Sequence, residues 1–583
     1  MQEFLTIQDN RLSRTFLPKD FDISDWETLE PYFKALLETD ITSPESLQEF
    51  LKKRNELDAL VSEDYAWRYI RKTRDTQNEA YKKSFLYFLQ EIIPHLSTYR
   101  DQLNRKIAAT PYLDQLEDEP YLTYVRGLKR QIELFREENV ALSVEEESTS
   151  QQHGATLGAM TVEIGEQTLT IQEAGKILES RDRARRQEVW EKIAQRRAQD
   201  YEKLQDLFDK LISLRHQMAG NAGYSSYTRY KFDAMGRFDY SLEDTYAFHD
   251  AVEKVVKPVY ESILEERRIK LGLEKLRPWD LQVDVLGDEP LVPFDREKPE
   301  QLLARSVQSL AALKPELGEM LKIMDQKGFL DLETRIGKQP GGYNYPLMET
   351  GIPFIFMNAA GTQNDVITML HESGHAVHSF VTRFISLNAL KQTPSEVAEL
   401  ASMTMELLCL DQYKEFYPNH DDLIRAQKGQ LIRCITIFPW IAAVDAFQQW
   451  AYDHPNHTHG ERNGQWKALF TRFHGDAVDW SGYEDSMLNM WVKQGHIFDV
   501  PFYYIEYAIA QLGALAIWRN YKQDPEKGMN EYLEALKLGY TKPIPQIYEA
   551  AGIKFDFSAA YMKECVDFCL EQYHLLTEPS MTA

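Results

Sequence analysis

His371 and His375 bracket Glu372 in the stretch DVITMLHESGHAVHSF, residues 365 to 380. On an α-helix, residues four apart lie about one turn apart and about 40° apart in projection, so both imidazoles can reach one zinc ion at about 2.0–2.1 Å. Glu372 then stands beside the metal's water, where a carboxylate can take a proton during peptide hydrolysis. The segment is apolar-periodic and follows the cap candidates Thr362 and Asp365, so a helix is expected. The plainer alternative, two satisfied surface histidines, is the weaker one once helical placement is counted.

A catalytic zinc site needs a third protein ligand and one open position. The candidate stretch is TPSEVAELASMTMELL, residues 393 to 408, in which Thr393, Pro394 and Glu396 read as cap, first helical residue and capping box. Glu399 and Glu406 project within about 20° of each other, opposite the apolar face of Val397, Leu400, Ala401, Thr404 and Leu408. Such an acidic stripe has chemical meaning only if buried, and spacing alone does not choose among Glu396, Glu399 and Glu406. His378 lies roughly 10 Å along the axis from His371, too far to share the ion, so it is read as supporting or packing. Val381 stands where the metzincin pattern wants a further histidine, which excludes that subclass. His454, His457 and His459 sit in HPNHTHG, an expected exposed turn without a carboxylate or cysteine framework, and no metal site is expected there.

The elements that must position these groups belong to a chain of 583 residues with formal net charge −25, long enough for several domains or one multi-lobed body. That charge repels phosphate backbones and anionic membrane surfaces, so neither nucleic acid nor membrane is an expected partner. The opening residues have no continuous apolar core of the secretory type, and the longest apolar run, Ala508 to Trp518, reads as a buried core helix. Cys409 and Cys434 are isolated and Cys565 and Cys569 stand four apart, which suits packing in a reducing compartment and a cytoplasmic location.

Apolar positions such as Leu57, Leu60, Val61 and Tyr65 predict stacked amphipathic helices over the first 140 or so residues. Glu145 to Gly158 reads as a loop or domain junction, and alternation at Val162, Ile164, Leu169 and Ile171 around a turn at 165–167 predicts a hairpin. One extended helix is expected from Ser180 to Ala219, closed by Gly220 and Asn221. Four prolines make Arg277 to Glu300 irregular with short strands, helices resume over Gln301 to Leu330, and Thr577 to Ala583 reads as a disordered tail. The division expected is 1–185, an N-terminal helical region, and 186–583, a catalytic domain.

Four blocks carry a resemblance: GGYNYP at 341–346, PFIFMNAAGTQNDVITMLHESGH at 353–375, SEVAELASMTMELL at 395–408 and HIFDVPFYYIEYAIAQLGA at 496–514. In order and spacing the chain resembles the oligoendopeptidase F branch of the thimet oligopeptidase family of zinc peptidases, from about residue 160 to about 570. The resemblance implies a mainly α, two-lobed fold with a deep central channel, a small β-sheet near the site and one zinc ion at the channel floor. It makes Glu399 the third ligand beside His371 and His375, Glu372 the base, and Glu406 a support behind the ligands. His496, Tyr504 and Tyr507 would face the reacting carbonyl, with Tyr503 the substitute for Tyr504 because the interval from His496 is one residue short. Gly341, Gly342, Tyr343, Asn358 and Gly361 fall at substrate-binding positions, and PFIFMN looks like an edge strand on which a peptide backbone could pair. The implied activity is internal cleavage of short unfolded peptides. The rivals are a helical zinc carboxypeptidase or dipeptidyl-carboxypeptidase, and a zinc-bound peptide-binding protein without turnover.

Overall fold

Capping and apolar spacing set the longest N-terminal element. Ser43 and Ser46 form a reciprocal cap, Pro44 occupies the first turn, and Arg71, Lys72 and Arg74 close the last turn of the helix Pro44–Arg74. The computed structural model describes residues 14–113, 121–287, 289–335 and 337–576; the opening residues through 13 and the expected tail from Thr577 lie outside the described residues.

Pro44–Arg74 packs with Trp26–Glu38, Ile93–Ala108 and Leu122–Leu134 around Leu29, Phe33, Leu47, Phe50, Leu57, Leu103 and Ile107. Leu387 and Leu390, from far along the chain, complete this core and fasten it to the region beside the third-ligand helix. The far end of Pro44–Arg74 uses Ala66 and Ile70 against Leu347, Phe354 and Phe356 of a small sheet. A separate, larger core joins the helices of residues 201–573.

The protein is mainly α with two small sheets among the described residues. The expected hairpin is present, β1 (Thr161–Ile164) pairing antiparallel with β2 (Gln167–Thr170), and its Val162 and Ile164 pack on Val189 and Ile193. The second sheet has the order β3 (Leu330–Glu333), β5 (Phe354–Ala359), β4 (Tyr343–Tyr345), with β5 parallel to β3 and antiparallel to β4. This corrects the expectation that PFIFMN is an edge. Phe354 to Met357 are buried without a break, as a central strand requires, and β3 and β4 are the edges.

Other expectations are also revised. Glu145–Gly158 is no loop; it lies in the helix Glu138–Gly158, where Ser150 donates to Asp499 and His153 bonds the Val492 carbonyl, so distant partners satisfy its polar run. The extended helix from Ser180 is two, Arg183–Gln199 and Tyr201–Asn221, broken at Asp200. Between Arg277 and Glu300 the described residues form a single turn of 3₁₀ helix at Pro278–Asp280 and no strand. Ala508 to Trp518 is buried in the helix Ile505–Gln523 as expected. Among the described residues one helix, His420–Asp453, is long and apolar enough to cross a membrane, yet 67% of the relevant window is buried inside the protein. All four cysteines are free and buried.

Candidate active site

The helix Gln363–Thr382 begins with Thr362 and Asp365 capping each other reciprocally, and carries His371, Glu372 and His375 one turn apart. The helix Ser395–Leu408 crosses it and is also packed against Ile505–Gln523, so from Glu396 onward every residue but Ala398, which lines the cavity, is buried. Two glycines permit this. A Cβ on Gly374 would stand 2.6 Å from the Ala401 carbonyl oxygen, and one on Gly513 would stand 2.6 Å from Leu400 Cδ1. Tyr532 fixes the same turn by donating to the Ala401 carbonyl at 2.8 Å.

The close crossing separates the three glutamates that spacing could not. Glu399 Oε2 lies 3.2 Å from His371 Nε2 and 3.6 Å from His375 Nε2. Glu406 sits one layer behind, accepting from His371 Nδ1 at 2.7 Å while Gln430 donates to its other oxygen at 2.7 Å. Glu396 turns away into a different buried cluster, accepting from Tyr240 at 2.5 Å near Arg237. Its capping-box expectation fails for that reason; Pro394 caps the helix without a side-chain bond.

The geometry fits a zinc ion. Tetrahedral ligands at about 2.0–2.1 Å stand about 3.3–3.4 Å from one another, close to the 3.2 and 3.6 Å observed here. With the His371 Nδ1 proton given to Glu406, the Nε2 lone pair faces a carboxylate oxygen, an arrangement that repels unless a cation or proton lies between them. Burial alone would raise the Glu399 pKa, yet His375 and His371 hold it at about 2. Burial lowers His375 to about 4, and would lower His371 too, but its bonds to Glu399 and Glu406 raise it well above the ordinary value. Ser402 donates to Glu399 Oε2 at 2.9 Å and Tyr503 to Oε1 at 2.9 Å, which fixes the carboxylate's orientation.

His371, His375, Glu399 and Tyr503 form the wall of a cavity of about 460 Å³ together with Gly342, Tyr343, Asn344, Glu372, His378 and Tyr507. Glu372 is buried, its Oε2 has no partner, and burial pushes its carboxyl up to about 7. His378 is buried with Nε2 unpartnered, and burial lowers it to about 3. β4 enters the wall directly: Asn344 donates to the Glu372 carbonyl at 3.2 Å, and Gly342, where a Cβ would meet Thr368 Cγ2 at 3.1 Å, keeps the strand close to the motif helix.

Not every expected residue arrives. Tyr503 and Tyr507 line the cavity and Tyr504 does not; it packs on the His496 ring at 4.9 Å and turns toward Trp440. The cause is Phe502, the one non-glycine among the described residues with positive φ, 67°, held by Gln448 at its N–H and by Arg237 at its carbonyl. His496 stands behind Tyr507: Trp440 donates to Gln494, whose amide donates to His496 Nδ1 at 2.7 Å, leaving Nε2 as a donor 3.5 Å from the Tyr507 hydroxyl. Gly341, Asn358 and Gly361 do not line the cavity. Asn358 ties the Gln339 and Gly341 carbonyls at 2.8 and 2.9 Å, and Gly361, φ 83°, turns the chain against Phe294 and Arg296. Sequence reasoning missed Gly374, Gln430 and Asn344. Of these only Gly374 carried a signal, as a glycine inside a helical pattern.

A family model described as Peptidase family M3 matches residues 176–567, and one described as Peptidase M3 N-terminal domain matches residues 16–135. An oligoendopeptidase F homolog of Lactococcus lactis subsp. lactis (strain IL1403) is 23% identical over 311 residues, 51% of this chain and 49% of the relative. Oligopeptidase PepF of Bacillus subtilis (strain 168) is 23% identical over 315 residues, 51% of this chain and 43% of the relative. The matched span is thus about half the length of these curated relatives or less. Among solved structures, PZ peptidase A with an inhibitor superposes with TM-score 0.90 at 24% identity, over 96% of this chain and 99% of that one. Oligoendopeptidase-F from Enterococcus faecium gives 0.62 at 18% identity, over 94% and 97%. These likenesses establish the fold.

Proposed function

Because the chain belongs to peptidase family M3, we propose that it is a zinc-dependent endopeptidase that hydrolyses internal bonds of short unfolded peptides. The observation that carries this reading is the convergence of His371 Nε2, His375 Nε2 and Glu399 Oε2 beside the unpartnered carboxylate of Glu372. Zinc held by those three residues would supply a Lewis acid that polarises the peptide carbonyl and acidifies water. Glu372, whose burial favours proton uptake, takes the proton of the attacking water and hands it to the departing amine. Tyr507, with His496 positioned behind it, offers its hydroxyl toward the oxyanion, while the Tyr503 hydroxyl stays on Glu399 and orients that carboxylate. The outer edge of β4, whose residues are half-buried beside the cavity, offers main-chain groups to an extended peptide. Four reduced, buried cysteines suit work in the cytoplasm.

An internally quenched peptide blocked at both ends, incubated with and without a chelator and followed by mass spectrometry, tests the reading. Chelator-sensitive cleavage at an internal bond is the expected result. Cleavage of free-ended peptides alone would replace it with an exopeptidase. Glu372→Gln is expected to retain zinc and to lower turnover by about 10²–10⁴-fold; undiminished turnover would remove Glu372 from the base role.

A further inference from the structure

A second cavity, of about 750 Å³, lies between the N-terminal helices and the rest of the chain. Met348, Gln392 and Thr393 belong to its wall and to the wall of the metal-site cavity, so the two adjoin. Its charges are unevenly shared. Arg54 and Arg100 both turn to one carboxylate, Asp58, at 3.3 Å from Arg54 Nε and 3.6 Å from Arg100 Nε. Arg54 is only 9% exposed, and its Nη1 has no partner. The other charged groups of the wall are matched: Arg130 pairs with Asp233 and Glu133, and Glu506 accepts from Arg237. The wall as a whole carries three arginines and three carboxylates, but around Asp58 two guanidiniums share a single carboxylate. Leaving a guanidinium buried with unused donors is costly unless an acceptor arrives.

The same wall holds acceptors in want of donors. Asn104 and Asn388 have their amide nitrogens committed, to Gln131 Oε1 and to the Asn55 carbonyl, each at 3.1 Å, and their Oδ1 atoms are buried without partners. A site with spare cationic donors and spare neutral acceptors matches a peptide segment, which brings a carboxylate and N–H groups together, better than it matches an inorganic anion. We propose that this second cavity is a subsite for a peptide carboxylate, held by Arg54 and Arg100, on peptides whose scissile bond lies in the adjoining metal-site cavity. The proposal rests on the peptidase reading for what the bound peptide then undergoes, but not for the binding itself.

The test is calorimetric titration of the full chain carrying Glu372→Gln, so that nothing is consumed, with three forms of one N-acetylated octapeptide. These are the free C-terminal acid, the C-terminal amide, and the amide with glutamate as its last residue. The free acid is expected to bind at least about tenfold tighter than the plain amide, as charge-assisted bonds to a guanidinium allow. Adding Arg54→Met should bring that ratio to about one, and Arg100→Met, at a position 41% exposed and so safe for folding, should lower it in the same direction. If the glutamate amide binds like the free acid, side-chain carboxylates are the source; if it binds like the plain amide, the chain terminus is. Equal binding of acid and plain amide, a preference that survives both substitutions, or no binding of any form would overturn the proposal. Failure of the unsubstituted enzyme to cut the blocked peptide would overturn the peptidase reading alone, because the acid-to-amide ratio is read without turnover.

Discussion

At the scale of single residues, the legible part of the site was the part written contiguously. His371, Glu372 and His375 share one helix, and their spacing alone argues a metal and a base. Glu399 needed the resemblance, because three glutamates on one helix differ only in what faces them across the crossing: two histidines, one histidine's far nitrogen, or a tyrosine and an arginine. Tyr503 was harder still, since the left-handed backbone at Phe502 shifts the phase between His496 and the tyrosines, and no helical count crosses such a residue. Tyr503 is held on Glu399 and Tyr504 turns away, so Tyr507→Phe is expected to lower kcat by about 10²–10³-fold, the range for losing one oxyanion donor, while Tyr504→Phe costs at least about tenfold less. Steady-state kinetics of the two variants on one quenched peptide decides; equal losses would mean that the side chains exchange roles when substrate binds.

At the scale of elements, capping chemistry was readable at Thr362 and misleading at Thr393 and Glu396, and tertiary burial was not readable. The reciprocal caps at Thr362 and Ser43 begin helices where their side chains say they should. The helix Glu138–Gly158 hid behind a Ser, Thr and Gln run whose partners, Asp499 and the Val492 carbonyl, lie more than 300 residues away. The break at Asp200 was invisible because both flanking helices keep the same apolar period. Gly374 joins the two metal-facing helices at a distance no side chain allows. Gly374→Ala should force the crossing apart, destabilise the protein by about 1–3 kcal/mol and reduce bound zinc. Thermal melting and metal analysis of the purified variant check both halves, and full zinc occupancy at unchanged stability would show that the crossing can give.

At the scale of the whole molecule, the mainly α class was evident from periodicity and the sheet order was not, since nothing in FIFMNA says which neighbours flank it until Tyr343–Tyr345 and Leu330–Glu333 are placed beside it. The site's supports are long-range: a helix crossing, Tyr532 from beyond the late tyrosines, and Leu387 and Leu390 anchored in the N-terminal core. Such a frame does not depend on the ion. Chelation should lower the melting temperature, as loss of any ligand bound to the native state does, while leaving the far-ultraviolet circular dichroism unchanged. Loss of helical signal on chelation would show instead that the ion staples the fold.

The close contact at Gly374 then has a kinetic meaning. On the proposed reading the three ligand groups sit on helices that Gly374 holds together, so loading and losing the ion would not require the crossing to open. A crossing that close would make ligand exchange, and not helix motion, the step that sets how fast one metal replaces another.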